Sequence, residues 1–137
     1  VGGFAGWLGG GSHAYNYAIT NIISARQIVG GFAGRTKGQI LNCWARGKVQ
    51  GTSSVGGFAG LLDGGIITNC YAATLLEGDQ DVGGFVGQRG TTGTVNGCVW
   101  DKEVSGVETD ASEGGAVGKT TAEMKNRQTY IDLGWSI

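Results

Sequence analysis

A glycine-rich hexapeptide recurs four times along this chain. VGGFAG begins at Val1, Val29 and Val55, and VGGFVG begins at Val82. Successive copies start 28, 26 and 27 residues apart. Self-similarity at such a period is typical of proteins in which each repeat packs only against its neighbours. The chain is therefore expected to consist of four equivalent units rather than one irregular core.

A second set of positions repeats in step with the hexapeptide. One position holds Cys43, Cys70 and Cys98, with Asn16 in the first unit. Three residues earlier stand His13, Ile40, Ile67 and Val95, and two residues later stand Ala18, Ala45, Ala72 and Trp100. Aligned apolar positions of similar volume predict columns of side chains stacked inside a core.

The composition excludes helical repeats of this length. Glycine supplies 29 of 137 residues and proline none, and no apolar period of 3.6 residues is present. A unit of 26–28 residues fits a coil of about three short strands, each pairing with the same strand of the next coil. We predict an all-β fold, a right-handed parallel β-helix (β-solenoid) of about four coils, over residues 1–110, with units starting at residues 1, 29, 55 and 82.

We predict that residues 111–137 form a C-terminal capping segment that contains a short helix. Thr120 or Thr121 can serve as its N-cap, residues 122–127 favour helix, and Trp135 can cover the last coil. Such a cap keeps an open strand edge from pairing with other chains. No comparable cap precedes Val1, so further chain is expected upstream.

The alternation of a strand predicts which side chains point inward. Cys43, Ala45 and Val49 share one face, which is the core face if apolarity decides, and Trp44 lies on the other. Doubled glycines, such as those at residues 56–57, are expected at a corner with positive φ or a close backbone approach. The phenylalanine after each pair is the predicted core anchor.

The pairing of VGGFAG with NCYA resembles the GLUG motif repeats. Such repeats occur in bacterial surface and secreted proteins, including immunoglobulin A1 peptidase-like and adhesin-like proteins. The resemblance covers roughly residues 1–106, and the tail looks like the segment that closes such arrays. It implies a secreted or cell-surface location, adjacent domains in the parent protein and no catalytic site within the repeats.

Several functions are not expected from the sequence. The formal net charge is −1, and no basic stripe predicts contact with nucleic acid. No apolar run is long enough for membrane insertion. The three cysteines and the lone His13 lack the spacing of a zinc site, so no metal or other cofactor is predicted. The cysteines are interpreted as reduced, buried core residues.

The strongest enzymatic alternative is a carbohydrate-active solenoid. Such enzymes set two carboxylates on one exposed face. Asp81 and Glu108 lie 27 residues apart and could stack. Solvated carboxylates in turns explain the same residues, so no catalytic residue is assigned.

One outward column is a candidate surface for a ligand or partner. Tyr17, Trp44 and Tyr71 fall at equivalent positions beside Asn42 and Asn69. Together they could bind a glycan or a host or surface protein. Alternatively, the aromatic side chains stabilise neighbouring strands and the asparagines serve the turns.

The sequence thus predicts a non-catalytic repeat module that acts as a rigid spacer, a display surface or an adhesion surface. One alternative is an accessory, non-catalytic region of an immunoglobulin A1 peptidase-like protease. Another is a carbohydrate-binding or carbohydrate-active β-solenoid.

Overall fold

The computed structural model describes residues 1–24 and 26–136. Their strands form four sheets in which every strand pairs in parallel with its neighbours. In spatial order, sheet I is β1 (Ala5–Leu8), β5 (Ala33–Thr36), β9 (Ala59–Leu62) and β13 (Val86–Arg89). Sheet II is β14 (Thr94–Asn96), β10 (Ile66–Thr68), β6 (Gln39–Leu41) and β2 (Ser12–Ala14). Sheet III is β16 (Ala116–Lys119), β15 (Cys98–Asp101), β11 (Tyr71–Glu77), β7 (Trp44–Gln50) and β3 (Tyr17–Ile23). Sheet IV is β12 (Gln80–Gly83), β8 (Ser53–Gly56) and β4 (Val29–Gly30).

The predicted all-β, parallel β-solenoid of about four coils is confirmed. A coil, however, carries four strands rather than three, because each of the last three units gives one strand to every sheet. Non-glycine residues in the left-handed region add bends that the glycines do not mark. Asn42, with φ of 53°, turns the chain between β6 and β7, and Ser54, with φ of 51°, bends β8. The right-handed winding of the β-helix stays a prediction.

The predicted columns lie in register from coil to coil. His13 pairs with Ile40, Ile40 with Ile67, and Ile67 with Val95. The four phenylalanines that follow the doubled glycines stack with centroids 4.7, 4.7 and 4.8 Å apart. These separations equal the spacing of hydrogen-bonded strands. The rings of Phe32, Phe58 and Phe85 are fully buried, so phenylalanine is the core anchor, as predicted.

The cross-section contains two apolar stripes. The larger one follows the phenylalanine, cysteine and alanine columns of the units. A smaller stripe joins Val49 and Leu76, near the ends of the long strands of sheet III, to Val29 and Val55 of sheet IV. Cys43, Ala45 and Val49 are therefore all buried, as alternation predicts, although Val49 belongs to a different stripe from the other two.

Close backbone approach explains the doubled glycines. None of the paired glycines in the hexapeptides has a positive φ, so of the two predicted reasons for them it is close backbone approach that applies. A Cβ at Gly56 would instead stand 1.8 Å from the Ala59 carbonyl oxygen, and one at Gly57 would stand 2.1 Å from that of Gly84. The chain folds back on itself and touches the next coil here, leaving no room for a side chain.

The cysteines form the predicted internal ladder and are free thiols. The N–H of Cys43 donates to the sulfur of Cys70, and that of Cys70 donates to the sulfur of Cys98, each over 3.4 Å. The hydrogen bond with Cys70, together with burial, raises the pKa of Cys43, and burial chiefly raises the pKa of Cys70. The thiols of Cys43 and Cys70 are therefore poor nucleophiles at neutral pH.

At the edge of the last coil, side-chain contacts take the place of contacts that a further coil would make. Between earlier coils, the N–H groups of Phe58 and Ala59 donate to the Phe85 carbonyl. At the final edge, one oxygen of Asp110 accepts from Phe85 and Val86 N–H, each over 2.7 Å. Trp100 replaces the small alanine of its column, and its indole N–H donates to the Val107 carbonyl.

Three short helices complete the described part of the chain: α1 (Lys102–Ser105), α2 (Thr121–Met124) and α3 (Arg127–Asp132). Thr120 and Glu123 form a reciprocal capping box at α2, which confirms the predicted N-cap. The predicted helix over residues 122–127 is interrupted because Asn126 acts as the N-cap of α3. Trp135 contacts the fourth coil through its indole N–H, which donates to the Gly97 carbonyl. None of the described helices has the length and apolarity required to span a bilayer.

Candidate functional site

The outer face of sheet III is the broadest regular surface of the solenoid. Its strands β3, β7 and β11 each span seven residues, whereas the strands of the other sheets span two to four. The register aligns Tyr17 with Trp44 and Trp44 with Tyr71. The repeat spacing predicted this column, and the structure brings its three residues together.

The rings of this aromatic column are stacked face to face. The centroids of Tyr17 and Trp44 lie 4.6 Å apart with the planes 8° from parallel, and those of Trp44 and Tyr71 lie 5.6 Å apart at 6°. The two faces of Trp44 are therefore occupied by its neighbours, and mainly ring edges point to solvent. A sugar ring that needs an open aromatic face must bind at an end of the column.

The asparagines beside this column have a backbone role. Asn42 and Asn69 both adopt left-handed φ values, 53° and 52°. Tyr15 and Gly97 occupy the same corner in the first and fourth coils, with φ of 58° and 62°. Asparagine tolerates this conformation better than most residues, so the turn itself accounts for its recurrence. The half-buried Asn42 and Asn69 also line a shallow groove against Trp135.

The same face also carries aliphatic and cationic residues that were not predicted from the sequence. Ile19, Ile23 and Leu75 are 71%, 69% and 44% exposed. Arg46 stands between Ile19 and Ala73, and Lys48 between Asn21 and Leu75. The alternation that places Trp44 outside also places Arg46 and Lys48 outside, so this signal was available in the sequence.

A groove separates the end of the aromatic column from the cap. It has a volume of about 480 Å³ and is lined by Arg46 and Tyr71 of sheet III and by Met124, Lys125 and Tyr130 of the cap. Burial raises the pKa of Tyr71, while nearby Arg46 acts in the opposite direction. The groove could not be predicted from the repeats because one wall belongs to the non-repetitive tail.

The residues considered for catalysis or metal binding are dispersed. Asp81 is exposed and occupies a left-handed corner equivalent to that of Ile28 and Ser54, and Glu108 is exposed in the loop after α1. His13 is half-buried at the open end of its apolar column and meets Phe4 edge to face. Across residues 1–24 and 26–136, no three His, Cys, Asp or Glu side chains cluster as metal ligands would.

We expect Trp44→Ala to lower the free energy of unfolding by about 2 kcal/mol while preserving the fold, because two ring stacks are lost. Tyr17→Ala serves as the control, since it removes one stack from a side chain that is 59% exposed. Its expected cost is at most about 1 kcal/mol. Urea unfolding measures both values, and equal costs would show that stacking does not stabilise this face.

The comparisons with known proteins agree with the repeat. Residues 51–73 match the protein family described as "Glug: The GLUG motif". The matched segment contains β8, β9, β10 and the start of β11. No curated protein matches the chain, and no solved structure matches it. The resemblance to GLUG repeats is therefore confirmed over residues 51–73, and the unit that contains this GLUG motif stacks in register on equivalent units.

Proposed function

We propose that this chain is a non-catalytic module of a secreted or cell-surface bacterial protein, where it acts as a rigid spacer that displays a binding surface. The single observation that carries the proposal is the continuity of the sheets. Each coil pairs with the next through parallel strands in at least three of the four sheets. Bending such a body between coils would break backbone hydrogen bonds in several sheets at once.

The core supports rigidity in a second way. Bending would also separate the stacked rings of Phe32, Phe58 and Phe85, which are fully buried. The smaller stripe of valines resists the same motion on the far side of the section. Because both stripes run through successive coils, force applied at one end is transmitted along the axis.

The display role is supported by the outer face of sheet III. Exposed Ile19, Ile23 and Leu75 lie on the same face as the aromatic column, and Arg46 and Lys48 add positive charge. Exposed apolar groups with nearby polar groups are typical of interaction surfaces. The proposed partners are a glycan, a host or surface protein, or an adjacent domain of the parent chain.

Backbone ¹⁵N relaxation of the purified chain tests the spacer. We expect order parameters near 0.85 throughout the strands of the second and third coils, with no drop at the boundary between units. Residues 9–11, an exposed glycine loop outside the strands, provide an internal comparison. Order parameters below about 0.6 in any of these strands would contradict the spacer role. Hydrolysis of a polysaccharide by the purified chain would contradict the non-catalytic part.

A further inference from the structure

The groove at the cap is the place on the described surface where an aromatic ring, cations and a concave shape coincide. Tyr71 is the last ring of the aromatic column, because Val99 follows it in register. The outer part of the Tyr71 ring therefore extends beyond its neighbour on the cap side. The described structure shows no hydrogen bond to the Tyr71 hydroxyl, whereas the hydroxyl of Tyr130 donates to the Met124 carbonyl.

The charges around the groove favour an anion. Arg46 and Lys125 are both exposed and line it from opposite walls, and neither forms an ion pair within the described structure. The acidic residue of the lining, Asp101, is buried and already engaged. Its oxygens accept from the N–H groups of Glu103 and Val104 and from the Thr121 hydroxyl. Two unpaired cations therefore face one carboxylate that has hydrogen-bond partners.

The same surroundings disfavour an extended peptide. Strands β7 and β11 form the solenoid wall of the groove, and each is paired on both sides. No strand edge is therefore available there for an added strand. Helices α2 and α3 span only four and six residues, too short to form one wall of a groove for a partner helix. A ligand must be recognised through side chains alone.

We propose that this groove binds a carboxylated sugar unit of an acidic polysaccharide, with Arg46 and Lys125 holding the carboxylate and Tyr71 contacting the ring. A pyranose offers an apolar face to the aromatic ring and hydroxyl groups to Thr121 and the free Tyr71 hydroxyl. A groove of this size lies within the range of small-ligand sites. This inference rests on the proposed display role and specifies the ligand class of its surface.

The test is a titration of the intact chain with trigalacturonate. Calorimetry and amide chemical shifts measure the binding. The matched probe is its methyl ester, which keeps the sugar rings and removes the charge. We expect saturable binding of the acid, amide shifts concentrated around Tyr71 and Lys125, and about tenfold weaker binding of the ester. Equal binding of acid and ester, or no saturable binding, would overturn the proposal.

Arg46→Gln and Lys48→Gln form the matched pair of variants. Both remove one cation from β7, but only Arg46 lines the groove. We expect Arg46→Gln to weaken binding about tenfold and Lys48→Gln to change it less than about twofold. Equal losses would indicate non-specific attraction and overturn the proposal. A triglutamate peptide that binds as tightly as trigalacturonate would overturn the assignment to a sugar.

The result is separable from the spacer role. A failed titration combined with high order parameters in the strands would refute the groove and leave the spacer intact. Low order parameters would contradict the spacer even if the sugar bound.

Discussion

Gly56→Ala should lower the free energy of unfolding by about 3 kcal/mol or more, although it adds a single methyl group. The new Cβ would lie 1.8 Å from the Ala59 carbonyl oxygen and 2.8 Å from the Gly87 nitrogen. Both atoms are backbone, so no side-chain rotation can relieve the overlap. The corner would have to open, which would disturb strand pairing in sheets I and IV.

Gly10→Ala is the control for this substitution. A Cβ at Gly10 would meet no atom within 4 Å, and its φ lies outside the left-handed region. We expect a change within about 0.5 kcal/mol. Urea unfolding of both variants gives the comparison. Similar stabilities for Gly56→Ala and Gly10→Ala would show that the corner relaxes and that the glycines are not needed for close approach.

The repeat made the stacking of the fold predictable. Once the hexapeptides are aligned, the positions of Cys43, Cys70 and Cys98 must coincide in a solenoid with one coil per unit, and the structure places them so. The apolar column from His13 to Val95 follows from the same alignment. Columns are accessible to sequence reasoning because each copy repeats the same packing requirement.

The shape of a single coil was less predictable. Ser54 and Asp81 take left-handed φ values of 51°. Serine and aspartate do not indicate this conformation in a sequence as clearly as glycine does. Both residues lie inside strands of sheet IV, β8 and β12, and bend those strands. Conversely, the doubled glycines of the hexapeptides were compatible with positive φ or with close backbone approach, and they serve close contact between backbones. Glycine is compatible with both, and only the approach of neighbouring segments distinguishes the two.

The candidate site was predicted in part. Tyr17, Trp44 and Tyr71 form the outward column that their spacing indicated, but the occupied ring faces could be seen only from the stacking geometry. The groove depends on how Lys125 and Tyr130 dock beside Arg46. That arrangement occurs once in the chain, so no internal repetition could reveal it.

Phe58→Ala should lower the free energy of unfolding by about 4 kcal/mol, because it removes a fully buried ring from the middle of the phenylalanine column. The ring stacks on Phe32 and Phe85 with centroids 4.7 and 4.8 Å away, so its loss leaves a cavity between two coils. Phe4→Ala is the matched control, since Phe4 ends the same column, stacks on Phe32 alone and is 42% exposed. We expect it to cost about 1 kcal/mol. Urea unfolding distinguishes the two, and a cost for Phe58→Ala no larger than for Phe4→Ala would refute this column as the main support of coil stacking.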